Sequence, residues 1–276
     1  MVIATLTKCY QAIQPALTSL ATSLNHEKKL IALVLVRLFL HDIRAYYHVL
    51  ERINMNVLVT GGSGWIGRCV VQVLLEHGHE VLSVDLNPPL SDGQNTRTSL
   101  TRYKTDVRHL TVDVTDAGQV YQAITMAQAE AVIHLAAWPN PGLVTDTRTY
   151  GDNVQGTFNI FQACKDSGVR RIVFASSSQV YGFAKHPPRY VPVDEAHPVR
   201  PLNCYAAAKI AGEQAAVFFS DQFDMRICSF RFQGVRLAAD LSSDIDTILQ
   251  NPAHGAMTLW TRVDVRDAGP AVVVDG

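Results

Sequence analysis

The stretch Asn56-Val57-Leu58-Val59-Thr60-Gly61-Gly62-Ser63-Gly64-Trp65-Ile66-Gly67 decides the fold. Its first five residues form a short apolar run that ends abruptly in glycines, the pattern of a buried parallel strand. The glycines at 61, 64 and 67 follow, and from Ile66 to Glu76 the apolar residues recur at helical spacing until Gly78 stops them. A strand, a glycine-rich turn and a helix in that order suit the binding of a dinucleotide. The first glycine permits a tight turn, the second lets the main chain approach a pyrophosphate, and the third allows the helix to pack on the strand. The helix N-terminus then offers free N–H groups and a positive dipole end to the phosphates.

Working outward, Glu80–Asp85 reads as a second strand, and Asp85 stands at its end, about 20 residues after the glycines as the fingerprint requires. A carboxylate there accepts both ribose hydroxyls of NAD and repels the 2′-phosphate of NADP. NAD is therefore the expected cofactor, with a basic residue of the following loop, such as Arg97, able to alter the preference. Further strands are expected at 110–114, 131–136, 171–176 and 225–230. Helices are expected at 116–127, 153–167 and 205–220. The proline-rich stretch 185–201 reads as a long surface loop. Alternating strands and helices predict a Rossmann-type, doubly wound parallel α/β sheet.

Composition sets outer limits. Of 276 residues, 47% are hydrophobic, enough for a sizeable core, and the net charge of −1 argues against nucleic-acid or membrane-surface partners. Five scattered cysteines without a C-x-x-C pair point away from a disulfide framework or a metal site and toward a reducing cytoplasm. Residues 1–54 read as an N-terminal extension. Its apolar run, 30–40, is shorter than the roughly 20 residues needed to span a bilayer and is interrupted by Arg37. It lacks the pattern of a secretory signal.

Three later segments carry chemistry. His134-Leu135-Ala136-Ala137 follows the fourth strand, and Ser176-Ser177-Ser178-Gln179-Val180-Tyr181-Gly182 follows the fifth. Tyr205-Ala206-Ala207-Ala208-Lys209 opens a helix. Residues four apart share a helix face, so the Lys209 ammonium is expected beside the Tyr205 phenol, lowering its pKa from the ordinary value of about 10. Such a tyrosine exchanges a hydroxyl proton while hydride moves.

With the glycine turn, these segments resemble in order the extended short-chain dehydrogenase/reductases, the NAD-dependent epimerase/dehydratase family. The resemblance runs from Met55 to about Arg231. It implies NAD held by Gly61, Gly64, Trp65, Ile66, Gly67, Asp85, Asp113, Val114, Leu135, Ala136, Ala137, Tyr205 and Lys209. It further implies Tyr205 as acid/base, Lys209 as its activator and ribose anchor, Ser177 as substrate hydrogen-bond donor, and Asn153 in a supporting catalytic role. The implied substrate is a sugar or nucleotide sugar, and the implied assembly is a homodimer packed through the helices near Asn153 and Tyr205. His134 reads as a satisfied strand histidine, and Asp113 serves equally as a loop cap.

Two departures qualify the resemblance. After the sixth strand, Gly234 stands where many family members carry an asparagine followed by V-Y-G-P. A free sugar or uronate then becomes an alternative substrate for a dehydrogenase. Residues 260–268 resemble the family's V-D-V-R-D-x-A element, beyond which its members usually continue. The substrate-binding part, about 233–276 of the 55–276 domain, is therefore expected to be small and incomplete. A truncated, redox-sensing NAD-binding protein is the non-catalytic alternative.

Overall fold

The computed structural model describes residues 54–88, 107–251, 255 and 262–274. Residues 1–53 of the expected extension and Arg97 lie outside them, as does Trp260 of the last motif.

The chain runs β1 (Asn56–Thr60), α1 (Trp65–Glu76), β2 (Glu80–Asp85), β3 (Arg108–Thr111), α2 (Ala117–Ala127), β4 (Ala131–His134), α3 (Asp146–Asp166), β5 (Arg171–Ser177), α4 (Cys204–Phe223) and β6 (Arg226–Phe232). These six strands form one parallel sheet in the order β3-β2-β1-β4-β5-β6. The order reverses between β1 and β4, and the crevice at the strand ends of such a switch point is where ligands bind in open α/β sheets. The doubly wound parallel fold read from the sequence is the one present.

Both faces of the sheet are covered, which explains why the central strands are apolar throughout. On one face, Leu58, Leu82, Val132, Ile172 and Phe174 pack under α2, α3 and α4 against Ile124, Ile160, Phe161 and Phe219. On the other, Val57, Val59, Val81, Ile133 and Val173 meet Val70, Val71 and Leu74 of α1 and Val272. Rings pack edge to face within the first cluster, Phe161 against Phe174 and Phe219.

Caps set where the helices begin. Asp116 accepts from Gln119 N at the head of α2, and Asn203 accepts from Ala206 N at the head of α4. Thr145 caps α3 by accepting from Arg148 N, so α3 starts at Asp146 rather than at 153. Its first two turns are polar and largely exposed, hence without the apolar periodicity that reveals a helix. β3 ends at Thr111 rather than 114, because the Asp113 carboxylate accepts from both the N–H and the hydroxyl of Thr115 and turns the chain. β4 ends at His134 rather than 136, and β6 runs on to Phe232.

Beyond β6 come β7 (Val235–Arg236), α5 (Ala238–Gln250), β8 (Val263–Asp264) and α6 (Val265–Val274). β7 and β8 pair in parallel as a separate two-stranded sheet. Among the described residues, no helix is long and apolar enough to cross a membrane.

Candidate functional site

The glycine turn is built by close approach. Gly61 has φ +71°, and a Cβ there would lie 2.7 Å from Ala136 N. A Cβ on Gly67 would come within 2.1 Å of Gly61 O. No side chain fits at either place, so glycine lets the turn lie against Ala136 and the head of α1 pack onto the turn. Gly64 is the N-cap of α1 with no side-chain cap, leaving the first turn's N–H groups without a side-chain acceptor. Trp65, half exposed, and Ile66 continue that turn.

Asp85 ends β2 beside this turn. Its Oδ2 accepts from Ser63 N at 3.1 Å and its Oδ1 from Asn87 N at 3.0 Å. Each oxygen keeps a further lone pair, which suits a ribose diol. Asp113 lies at the end of β3, with Oδ1 engaged by Thr115. Val114 follows it, its side chain against Gly156 of α3.

After β4, Leu135 N donates to Thr60 O and Ala136 N to Thr60 Oγ1, laying residues 135–137 beside the glycine turn. Asn153, buried in α3, clamps the residue beyond them. Its Oδ1 accepts from Trp138 N at 2.7 Å, and its Nδ2 donates to Trp138 O at 3.1 Å. His134 is fully buried between two hydroxyls, Thr60 Oγ1 at 2.7 Å and Thr157 Oγ1 at 3.2 Å. Burial, helped by the Lys209 charge, pushes its pKa down to about 3. It is the satisfied strand histidine expected.

The third wall is β5 and α4. A Cβ on Gly212 would meet the Phe174 ring at 2.5 Å, so glycine lets α4 lie close on β5. That closeness buries Tyr205 and Lys209. Of the three serines, Ser177 is the one whose side chain acts on Tyr205, whereas Ser176 donates to Glu213. Lys209 Nζ lies 5.0 Å from the Phe174 ring centre and 5.6 Å from that of Tyr205. Burial lowers the Lys209 pKa to about 8.

One expectation is corrected. Burial raises the Tyr205 pKa, and the opposing influence is the Ser177 side chain. The ammonium beside the ring does not bring it down, because desolvation penalises the phenolate more.

Two residues escaped the sequence reading. Glu213 of α4 and Arg231 of β6 form a two-point ion pair: Nε donates to Oε1 at 2.9 Å and Nη2 to Oε2 at 2.7 Å. Glu213 stands four residues beyond Lys209, on the same helix face, and that spacing was the available signal. Tyr181 is buried, its hydroxyl donating to Asp194 O. The segment 183–203, without helix or strand, is ordered around buried His197, whose ring touches those of Tyr181, Phe183 and Tyr190. His197 Nε2 accepts from Arg189 N at 3.0 Å. Gly234 adopts φ +37° just after β6.

The arrangement thus gathers a glycine turn, a carboxylate at the second strand and a Ser–Tyr–Lys group at the strand ends of a parallel sheet. Residues 57–260 match the model of the NAD-dependent epimerase/dehydratase family, and the chain belongs to that family. It is 31% identical over 183 residues to the UDP-glucose 4-epimerase of Corynebacterium glutamicum, covering 66% of this chain and 51% of that one. The Bordetella bronchiseptica enzyme WbmH, solved with NAD+, superposes with a TM-score of 0.60 at 26% identity, covering 80% of this chain and 72% of that one. A short-chain dehydrogenase/reductase superfamily protein of Agrobacterium tumefaciens with bound NAD superposes with a TM-score of 0.63 at 25% identity, covering 79% and 72%. The chain spans about half the length of the curated relatives it matches.

Proposed function

We propose that this chain binds NAD and serves an epimerase-type reaction on a nucleotide sugar of the UDP-hexose class. The reading rests on one observation above the rest: Tyr205, with Ser177 beside it, sits a single helical turn from buried Lys209, at the strand ends that carry the glycine turn. NAD, when bound, supplies the hydride acceptor and donor.

The chain's own residues supply the rest. Gly61, Gly64 and Gly67 leave room for the pyrophosphate, with Trp65 and Ile66 opening the helix that receives it. Asp85 takes the ribose hydroxyls. Asp113, Val114 and residues 135–137 line the crevice. Tyr205 exchanges a proton with a substrate hydroxyl at its phenolic oxygen, giving it as the phenol and taking it as the phenolate. Ser177 hydrogen-bonds the same substrate oxygen and orients it. Lys209 contributes positive charge next to the phenol and an anchor for the nicotinamide ribose. Asn153 acts indirectly, by holding the main chain at Trp138. Burial of Tyr205 and Lys209 keeps bulk water from the proton transfer.

A dehydrogenase of a free sugar or uronate is the second reading, favoured by Gly234 in place of a side chain able to meet a larger substrate. We further propose a homodimer through α3 and α4, whose faces expose Tyr150, Phe158, Val217 and Phe218. The scattered cysteines support a cytoplasmic site.

The test is to load the protein with NAD and supply UDP-galactose, UDP-glucose and a free hexuronate in turn. Interconversion of the two UDP sugars supports the first reading. NADH formed only from the uronate replaces it with the second. Tight NADH binding without turnover of any of them leaves a non-catalytic binder.

A further inference from the structure

We propose that Arg231 and Glu213 are positioning residues, one ion pair that sets both the serine end of β5 and the 183–203 segment for turnover; this rests on the enzyme reading above. Two branches leave the pair. Toward the site, Glu213 Oε1 accepts from Ser176 Oγ at 2.5 Å, and Ser176 is the neighbour of Ser177. Toward the segment, Arg231 Nη1 donates to Tyr181 Oη at 2.9 Å and to Glu195 O at 3.0 Å. Tyr181 Oη passes the connection on to Asp194 O at 3.1 Å. The guanidinium also stacks 5.0 Å from the centre of the Tyr181 ring.

The pair is strong enough for the task. It is a fork-on-fork contact with both side chains largely buried, 21% and 16% exposed. Burial alone would raise the Glu213 pKa, yet the hydrogen bonds from Arg231 and Ser176 bring it below the ordinary carboxylate value. Both partners therefore stay charged, and a charged fork fixes direction as well as distance.

Its placement is what ties it to catalysis. Glu213 follows Tyr205 and Lys209 at four-residue steps on α4, so the three move as one face. The 183–203 segment ends at Asn203, whose side chain caps α4 and also donates to Gln179 Oε1 at 3.1 Å. It begins just after Tyr181, which Arg231 holds. The segment is thus fastened at both ends to the elements bearing Ser177 and Tyr205.

The branches separate by mutation. Tyr181→Phe removes the hydroxyl link to the segment and keeps the ion pair. Ser176→Ala removes the serine branch alone. Arg231→Lys keeps the charge and loses the fork. The assays are interconversion of UDP-galactose and UDP-glucose, titration with NADH, and limited trypsin cleavage at Lys185 and Arg189. Tyr181→Phe is expected to raise KM about fivefold, the worth of one hydrogen bond, with kcat nearly unchanged and cleavage faster. Ser176→Ala is expected to lower kcat about tenfold with KM unchanged, as a small misplacement of a reacting group does. Arg231→Lys should show both effects, and all three should bind NADH as the parent does. Lower melting temperatures with kcat and KM unchanged would reduce the pair to a structural role and overturn the proposal. If the parent converts neither sugar, the substrate reading falls separately; trypsin then decides the segment branch, and unchanged cleavage in Tyr181→Phe and Arg231→Lys overturns it.

Discussion

Ser177 lies beside Tyr205 where β5 ends against α4, and its side chain opposes the burial that raises the tyrosine's pKa. The phenol is therefore neutral when the site is unliganded at neutral pH. In that form its proton is available to give, and taking one requires the phenolate. Tyr205→Phe deletes the hydroxyl and little volume. Turnover in the proposed reaction is expected to fall about 10²- to 10⁴-fold, while NADH titrations overlay those of the parent. Retained turnover would remove Tyr205 from the chemistry.

Lys209 carries a stability cost that can be measured. Its pKa drops from 10.5 to about 8 on folding. Below pH 8 it is charged in both states, and the native state bears the full desolvation penalty. As pH rises from 8 to 10.5 the native state loses its proton while the unfolded state keeps it, so native stability rises across that window. The penalty at neutral pH is about 3 kcal/mol. Lys209→Met, of similar length, should be more stable than the parent at pH 7 by urea denaturation, should lose that advantage near pH 10, and should be inactive. Equal stabilities at both pH values would contradict the assigned penalty.

His134 works in the opposite pH range. Its ring is neutral in both states above its ordinary value of 6.5, while the folded value is about 3. As pH falls between these limits the unfolded chain binds a proton that the native chain refuses, and native stability is lost, on the order of 5 kcal/mol once pH nears 3. His134→Asn should lower the plateau at pH 7, through weaker contacts to Thr60 and Thr157, and flatten the decline between pH 6.5 and 4. A decline as steep as the parent's would place the acid-sensitive group elsewhere.

Gly61 and Gly67 should fail for different reasons. Gly61→Ala forces a side chain into a left-handed backbone against Ala136, and Gly67→Ala drives it into Gly61 itself. Each is expected to cost more than about 1 kcal/mol of stability and to abolish the rise in NADH fluorescence. An alanine variant that folds and binds NADH normally would show that the turn does not face the cofactor.

The proposed assembly has its own check. Val217 is 61% exposed on α4. Val217→Asp should convert a dimer to monomer in sedimentation without lowering the melting temperature of the monomer, because none of the described residues covers that position. A parent that sediments as a monomer removes the dimer from the account.

The strand–turn–helix opening and the Tyr205–Lys209 pair were legible because each is local: a period of apolar residues or a fixed helical step encodes it. The first turns of α3 were not, since Asp146 to Tyr150 is polar and its helix depends on a cap at Thr145. The raised pKa of Tyr205 could not be read either, because it follows from how closely α4 lies on β5 at Gly212. The Glu213–Arg231 pair joins a helix to a strand 18 residues away, and only the folded sheet brings them together. Among the serines, spacing left a choice between neighbours, and the contacts of Ser176 and Ser177 distinguish them.

Asp85 joins a structural contact to the cofactor role proposed for it. Its oxygens hold Ser63 N and Asn87 N, so the carboxylate that would choose between cofactors also tethers the turn that receives them. Replacing it with alanine to admit a 2′-phosphate would leave two main-chain donors unanswered and loosen the cradle for either cofactor. A route from NAD to NADP in this chain therefore has to pass through a neutral acceptor such as asparagine or serine at position 85 before any basic residue is introduced. Cofactor choice here is bound to the integrity of the fold, and neither can be revised alone.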